Sequence, residues 1–298
     1  MAEAKLDQAY AYCQQLVQTH YENFPVASLL LPKRLRKPIS VIYAFARTAD
    51  DFADEGCEPQ HVRLQQLDSF SHALTELATD NYQGDNPIFI ALADVIQQFD
   101  LPIQLFEDLL SAFKQDVVKQ RYANFDEVLD YCTRSANPVG RLLLHLNGTP
   151  NEKQLQQSDA VCTALQLINF YQDIVQDITE QDRIYIPTVE LQLFGIDEQQ
   201  LTASGSTNLA PLIRLQHNRA RSFMAKGYEL GLSIKGPIGW EVRAMTLGGI
   251  ETLHLLHKQS DYNLLSRPRL SRLRLIKVMV FSMKKKWYRH IVSKRIQV

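Results

Sequence analysis

A chain of 298 residues, 45% of them hydrophobic and 22% charged, is long enough to bury a sizeable core and too apolar to remain disordered, and its 12 glycines favour helices over turn-rich β architectures. Four scattered cysteines (Cys13, Cys57, Cys132, Cys162) without a CxxC pair exclude a disulfide framework and point to a reducing cytoplasm; with no leader pattern and no run near the roughly 18 apolar residues of a membrane span, the protein is expected to be neither secreted nor integral. The formal net charge of −1 comes with no nucleic-acid recognition motif, so no nucleic-acid partner is expected.

Along the chain, prolines from Pro25, Pro32 and Pro38 through to Pro268 punctuate stretches with helical apolar spacing. Examples are Val41, Ile42 and Phe45, then Leu105, Leu109 and Phe113, then Val161, Leu165 and Ile168, then Phe223, Tyr228 and Leu230. Strand-like alternation, internal repeats and flexible linkers are scarce, so the reading is one all-α domain over 1–298.

The first chemical signal is Tyr43-x3-Arg47-x2-Asp50-Asp51-x2-Asp54-Glu55. At about 100° per residue, Tyr43, Arg47, Asp50 and Asp54 share one helix face, with Asp51 on its flank. Four crowded carboxylates repel one another, sit near a helix C-terminus where the dipole disfavours them, and have no Lys or Arg following at i+4, so something cationic should offset them. Further on, Pro138 falls inside an apparent helix from Asp130 to Leu146 and predicts either a kink or a boundary. Gly140, two residues later, is either a close-approach point or a tolerated helix glycine.

The second signal is Gln166-x2-Asn169-x3-Asp173-x3-Asp177, a polar stripe on an otherwise apolar helix. Either stripe alone reads equally as a solvated acidic face. Two helices that each offer Asp at i and i+4 make a hard oxygen site suited to Mg²⁺ carrying a diphosphate, because Mg²⁺ takes one or two carboxylates and completes its shell with water and phosphate oxygens. His20, His145, His217 and His254 show no paired spacing of a zinc motif, and neither GxSxG nor GxGxxG occurs. From Arg267 to Val298 there are eleven Lys or Arg and no Asp or Glu, leaving 21 basic against 33 acidic residues before it. This segment, about 267–298, reads as a basic C-terminal helix that either touches an anionic membrane or packs solvated on the body.

The two motifs, in this order and across nearly the whole chain, resemble the head-to-head prenyl synthases, the squalene and phytoene synthases. Asp182-Arg183-Ile184-Tyr185-Ile186-Pro187 is similar to that family's GRxYxP stretch, with Asp182 where Gly is usual. The segment His20 to Pro32, Thr48-Ala49-Asp50-Asp51 and Arg267-Pro268-x-Leu270-Ser271-Arg272 are similar to the branch that makes hydroxysqualene in bacterial hopanoid pathways. Two departures point toward that branch: Tyr21, Glu22 and Asn23 replace a Ser-rich stretch, and Gln172 stands where several relatives carry an Arg that would grip a diphosphate.

The resemblance implies a single-domain isoprenoid synthase fold, a helical array around a central cavity. It implies Mg²⁺ held among Asp50, Asp51, Asp54, Asn169, Asp173 and Asp177, and catalysis by Tyr43, Asp50, Asp54, Asp173 and Asp177. It further implies substrate contacts from Phe24, Tyr43, Arg47, Val139, Gly140, Gln166, Asn169 and Arg267; Phe24, Phe45, Val139 and Leu165 are either tunnel or core. The implied reaction is that of a hydroxysqualene synthase acting on presqualene diphosphate without NADPH. The alternatives are a presqualene diphosphate, squalene or phytoene-type synthase condensing two prenyl diphosphates, and a non-catalytic assembly factor at a membrane. Implied partners are the isoprenoid diphosphate, neighbouring pathway enzymes and the inner face of a membrane.

Overall fold

The computed structural model describes residues 2–19, 32–56, 58–202 and 209–296. Phe24, with the segment His20 to Leu31, and Cys57 lie outside the described residues. The chain folds into two compact units, Met1–Val118 with Pro138–Pro150, and Lys119–Asn137 with Asn151–Val298.

The first unit contains α1 (Ala2–Thr19), α2 (Lys33–Asp54), α3 (Gln60–Ala78), α4 (Pro87–Phe99) and α5 (Gln104–Val118). Local chemistry sets some of their ends: the Asn86 side chain accepts from the Ile88 amide with Pro87 at the first position of α4, and Asp100 closes that helix in the left-handed region at φ 50°. In α2, Pro38, Ile42, Phe45, Ala49 and Ala53 recur every three or four residues and are buried. Phe45, fully buried, meets Phe70, Phe89 and Phe106 with ring centroids 5.7, 6.0 and 5.3 Å away, the last two edge to face. Each such ring contributes about 1.5–3 kcal/mol of burial. The cluster fixes the rotation of α2 about its axis, and Tyr43, Arg47, Asp50 and Asp54 are left half-buried on its other side.

The second unit opens with α6 (Phe125–Ser135), capped by Asn124; after α7 (Asn137–Asn147) it continues with α8 (Glu152–Gln172), whose start is a reciprocal cap between Asn151 and Gln154. Then follow α9 (Ile174–Gln181), α10 (Thr188–Leu193), a 3₁₀ turn (Glu198–Leu201), α11 (Leu209–Gly227), α12 (Leu230–Ser233), α13 (Gly236–His257), α14 (Arg272–Met283) and α15 (Lys285–Ile296). Helices α8 and α11 run against each other closely enough that a Cβ on Gly227 would lie 2.5 Å from the Gln157 carbonyl oxygen. On α13, Gly249 leaves room for Leu165 of α8, whose Cδ2 would be 2.5 Å from a Cβ there. Around Tyr185, Phe170 stacks at 3.5 Å and Tyr122 and Tyr131 complete an aromatic group, while the Ile184 amide pairs with the Gln120 carbonyl at 2.9 Å. Among the described residues the only extended pairing is the isolated bridge Arg121–Ile184, so the fold is all-α as the sequence indicates.

Three local expectations are corrected, and the alternatives at Pro138 are decided for the boundary. Pro38 is not a joint: it lies in the second turn of α2, buried in the apolar face that offsets its one missing backbone bond. Pro138 does not kink a continuous helix; α6 ends at Ser135 and α7 begins at Asn137, so the proline sits in a first turn where its absent N–H breaks no intrahelical bond. The second acidic stripe is not one straight helix, because Asp173 (φ −110°, ψ 14°) separates α8 from α9. The Asp173 amide still bonds Asn169 O at 2.9 Å and the Asp177 amide bonds Asp173 O at 2.8 Å, so the ladder is bent rather than lost. The basic segment is two helices, α14 and α15, parted at Lys284, with Arg267 to Ser271 outside them.

Two expectations follow from this packing. Phe45→Ala should cost about 3–5 kcal/mol, read as a lower midpoint in chemical denaturation, because it empties the centre of the ring cluster. Glu241, buried in α13, has its pKa raised by burial to about 7. With the folded value above the unfolded one, stability falls as pH rises from about 4.5 to about 7, and Glu241→Gln should raise the thermal midpoint at pH 8 more than at pH 5.

Candidate active site

The first stripe carries its own counter-ion. Arg47 lies one turn before the carboxylates, its Nη2 2.7 Å from Asp51 Oδ1 and its Nη1 3.4 Å from Asp50 Oδ2, and it also donates to Glu55. Burial by itself would lower the Arg47 pKa; the fields of Asp51, Asp50 and Glu55 outweigh it, and the net shift is upward. The cation that repulsion demands thus precedes the acids instead of following them. Glu55 closes the helix and Gly56, at φ 91°, takes the backbone away from it. Tyr43 stands half-buried one turn before Arg47.

The second stripe draws its counter-ion from far along the chain. Asp173, at the bend, has a side chain only 20% exposed and is gripped by Arg267 through Nε–Oδ1 at 2.5 Å and Nη2–Oδ2 at 3.1 Å. Arg267 Nη1 also donates to Gln176 Oε1 at 2.9 Å, and the Gln172 amide donates to the Pro268 carbonyl at 2.6 Å. Gln172, whose identity suggests a lost phosphate grip, therefore ties down the segment that carries Arg267. Burial pushes the Asp173 carboxyl above the usual carboxylate range, with Arg267 and Arg269 pulling the other way. Asp177 and Gln166 are half-buried and Asn169 is exposed.

Beneath this stripe is a set of residues that the motif spacing did not flag. Tyr171 donates to Gln216 Oε1 at 3.2 Å, Gln216 donates to Glu190 Oε2 at 2.6 Å, and Arg219 pairs with Glu190 at 2.6 Å. These polar groups come from three elements, so only packing reveals them. Asp182 adopts φ 51°, the left-handed region, which explains why glycine suits that place; the aspartate adds a 2.7 Å pair to Arg121.

The remaining candidates divide. Phe45 is core in the first unit, Leu165 packs on the Gly249 backbone, and Val139 is 39% exposed in the first turn of α7 beside buried Gly140. Cys13, Cys132 and Cys162 are reduced thiols.

Mg²⁺ can be tested against these donors. Among the described residues, no group of three or more His, Cys, Asp or Glu is assembled to hold an ion alone. Of the donors, Asp50, Asp51 and Asp173 are already balanced by guanidinium groups, and such carboxylates suit a cation arriving with its own phosphate and water ligands.

A family model described as squalene/phytoene synthase matches residues 17–274, and the chain belongs to that family. Hydroxysqualene synthase of Sinorhizobium fredii is 36% identical over 186 residues, which span 62% of this chain and 62% of that protein, under two thirds of its length. Hydroxysqualene synthase of Rhodopseudomonas palustris is 35% identical over 215 residues, 72% of each chain, and phytoene synthase of Mycobacterium tuberculosis is 29% identical over 234 residues, 77% of this chain and 74% of that one. The crystal structure of squalene synthase HpnC from Alicyclobacillus acidocaldarius superposes with a TM-score of 0.78 at 32% identity, covering 87% of this chain and 98% of that one.

If Arg267 is the counter-ion that makes Asp173 tolerable, Arg267→Ala and Asp173→Asn should not add. A double-mutant cycle on thermal or urea unfolding should show a coupling of about 0.5–3 kcal/mol, with the single Arg267→Ala change the more damaging because it leaves a half-buried carboxylate alone.

Proposed function

We propose that the protein is a hydroxysqualene synthase, which ionises presqualene diphosphate and lets water capture the rearranged carbocation, giving hydroxysqualene and diphosphate. The observation that carries the reading is that both acidic stripes are half-buried and each is closed on an arginine, Arg47 on Asp50 and Asp51, and Arg267 on Asp173. At either stripe, a diphosphate arriving with Mg²⁺ offers a cation to the paired carboxylates and an anion to the guanidinium, so partners exchange without leaving a charge uncompensated. Relatives named hydroxysqualene synthase at 36% and 35% identity support the substrate, and Gln172 in place of an arginine supports a site that holds one diphosphate.

In this reading Asp50 and Asp54, with Asp51 beside them, would hold Mg²⁺ on the first stripe, and Asp173 and Asp177, with Asn169, would hold it on the second; the chemistry it would supply there is withdrawal of charge from the leaving diphosphate. Arg47 and Arg267 turn from their carboxylates to phosphate oxygens; the C–O bond breaks and its electron pair leaves on the diphosphate. Tyr43 stabilises the cation through its ring face, worth about 0.5–2 kcal/mol. Gln166 and Asn169 orient the water, whose oxygen bonds to carbon while its proton passes to diphosphate. No electrons are exchanged with a reductant, so the balance needs no NADPH. Val139 and Gly140 are hydrocarbon contacts. A C30 substrate and product also call for contact with a membrane and with the enzymes that make the one and consume the other.

A second reading, condensation of two prenyl diphosphates, draws on phytoene synthase relatives at 29% identity over 77% of the chain. Incubation with Mg²⁺ and either presqualene diphosphate or farnesyl diphosphate, without NADPH, separates the two by mass spectrometry of the lipid product. Hydroxysqualene from the first and nothing from the second is expected; turnover of farnesyl diphosphate would assign the condensation, and inactivity with both would assign a non-catalytic role. Asp54→Asn and Asp177→Asn should each lower kcat by about 10²–10³-fold with the far-UV circular dichroism unchanged.

A further inference from the structure

Helix α14 is apolar on both sides. Its inner side is anchored: Val278 and Ser282 are buried, Trp240 Nε1 donates to Ser282 Oγ at 2.7 Å, and Arg243 Nε donates to the Ser282 carbonyl at 2.6 Å. Its outer side nonetheless exposes Leu273 by 67%, Ile276 by 59%, Val280 by 43% and Met283 by 58%. At about 100° per residue these four fall within an arc of roughly 80°, a continuous stripe facing away from the body. Trp287, 40% exposed at the start of α15, extends the apolar surface, its ring in contact with Phe281 and under the Lys284 ammonium at 4.5 Å.

The fringe of this stripe is of one sign. Arg272, Lys277, Lys284, Lys286 and Arg289 are exposed, and no acidic residue occurs from Arg267 onward. Beside the stripe, with Leu273 and Lys277 on its wall, the second unit holds a groove of about 940 Å³. Arg221, Lys258 and Lys294 also line it, and among its described lining residues the one carboxylate, Glu251, is taken by Arg274 at 2.9 Å and Arg295 at 3.3 Å.

We propose that this face seats the protein on an anionic bilayer, the stripe Leu273, Ile276, Val280 and Met283 entering the acyl boundary and the basic groove receiving a lipid phosphate. Aliphatic side chains next to Trp and Lys match the layered polarity of a membrane interface. Charge selects the occupant: a second copy would set two cationic fringes against each other, whereas anionic headgroups neutralise them. Nucleic acid would supply the charge but has no use for the exposed aliphatic row. Among the described residues no helix is long and apolar enough to cross a membrane, so the contact is with one surface. The proposal deepens the expected membrane contact and rests on α14, α15 and the groove beside them, independent of the catalytic reading.

The test is co-sedimentation of the full chain with vesicles that contain no isoprenoid, one set of phosphatidylcholine and one of phosphatidylcholine with phosphatidylglycerol. Binding at least tenfold stronger to the anionic set is expected, falling steeply with salt. Lys277→Glu with Lys284→Glu and Lys286→Glu should abolish that preference, and Ile276→Ser with Val280→Ser should weaken binding by tenfold or more. All five positions are exposed, and an unchanged thermal midpoint verifies folding. Brominated lipid should quench tryptophan emission in the parent and not in Trp287→Phe. Equal or no binding to the two vesicle sets would overturn the proposal. So would a concentration-dependent dimer that Ile276→Ser dissolves, which would give the stripe to a second copy. Because the vesicles carry no substrate, failure here leaves the hydroxysqualene synthase reading untouched, and an inactive enzyme would leave this one untouched.

Discussion

Carboxylates crowded at half-buried positions on a helix can be held there only if positive charge stands against them, and here each acidic stripe is balanced by one arginine. Much of the surrounding structure serves that balance. For the first stripe, helical spacing puts Arg47, Asp50 and Asp51 on one flank, the ring cluster around Phe45 sets how α2 is rotated, and the arginine comes from the same helix. For the second, the arginine lies 94 residues along the chain from its partner Asp173, and the Gln172–Pro268 bond brings it home. A local solution and a long-range one thus meet the same electrostatic demand.

The long-range solution needs rigid backing. Close approach of α8 to α11 at Gly227 and to α13 at Gly249 fixes where the end of α8 lies, and the Tyr171, Gln216, Glu190 and Arg219 network satisfies the buried polar groups underneath it. The bend at Asp173 has a chemical consequence as well. A straight helix would point Asp173 and Asp177 the same way along one cylinder, whereas the bend puts Asp173 at a helix end, in reach of a segment that is not helical.

Basic residues at the end of the chain do two different jobs. Arg267, Arg274 and Arg295 neutralise Asp173 and Glu251 of the body, which accounts for part of the charge asymmetry as internal pairing. Others fringe an apolar stripe that faces outward, and no net-charge argument could separate these two populations, because the distinction is which residues packing sets against a carboxylate of the body.

The all-α class, the apolar face of α2 and the shared face of the first acidic motif were legible in the sequence, since helical periodicity and the spacing of Tyr43, Arg47, Asp50 and Asp54 are local properties of 3.6 residues per turn. So was the demand for a cation near the first cluster, which follows from Coulomb repulsion alone. The sequence could not say that Arg47 would answer it, that Arg267 would balance the second cluster, that Gln172 would act as a tether, or that Pro38 would be absorbed while Asp173 would mark a bend. Those outcomes depend on which side chains tertiary packing brings within about 3 Å of one another and how far it removes them from water, and neither quantity is a function of spacing along the chain.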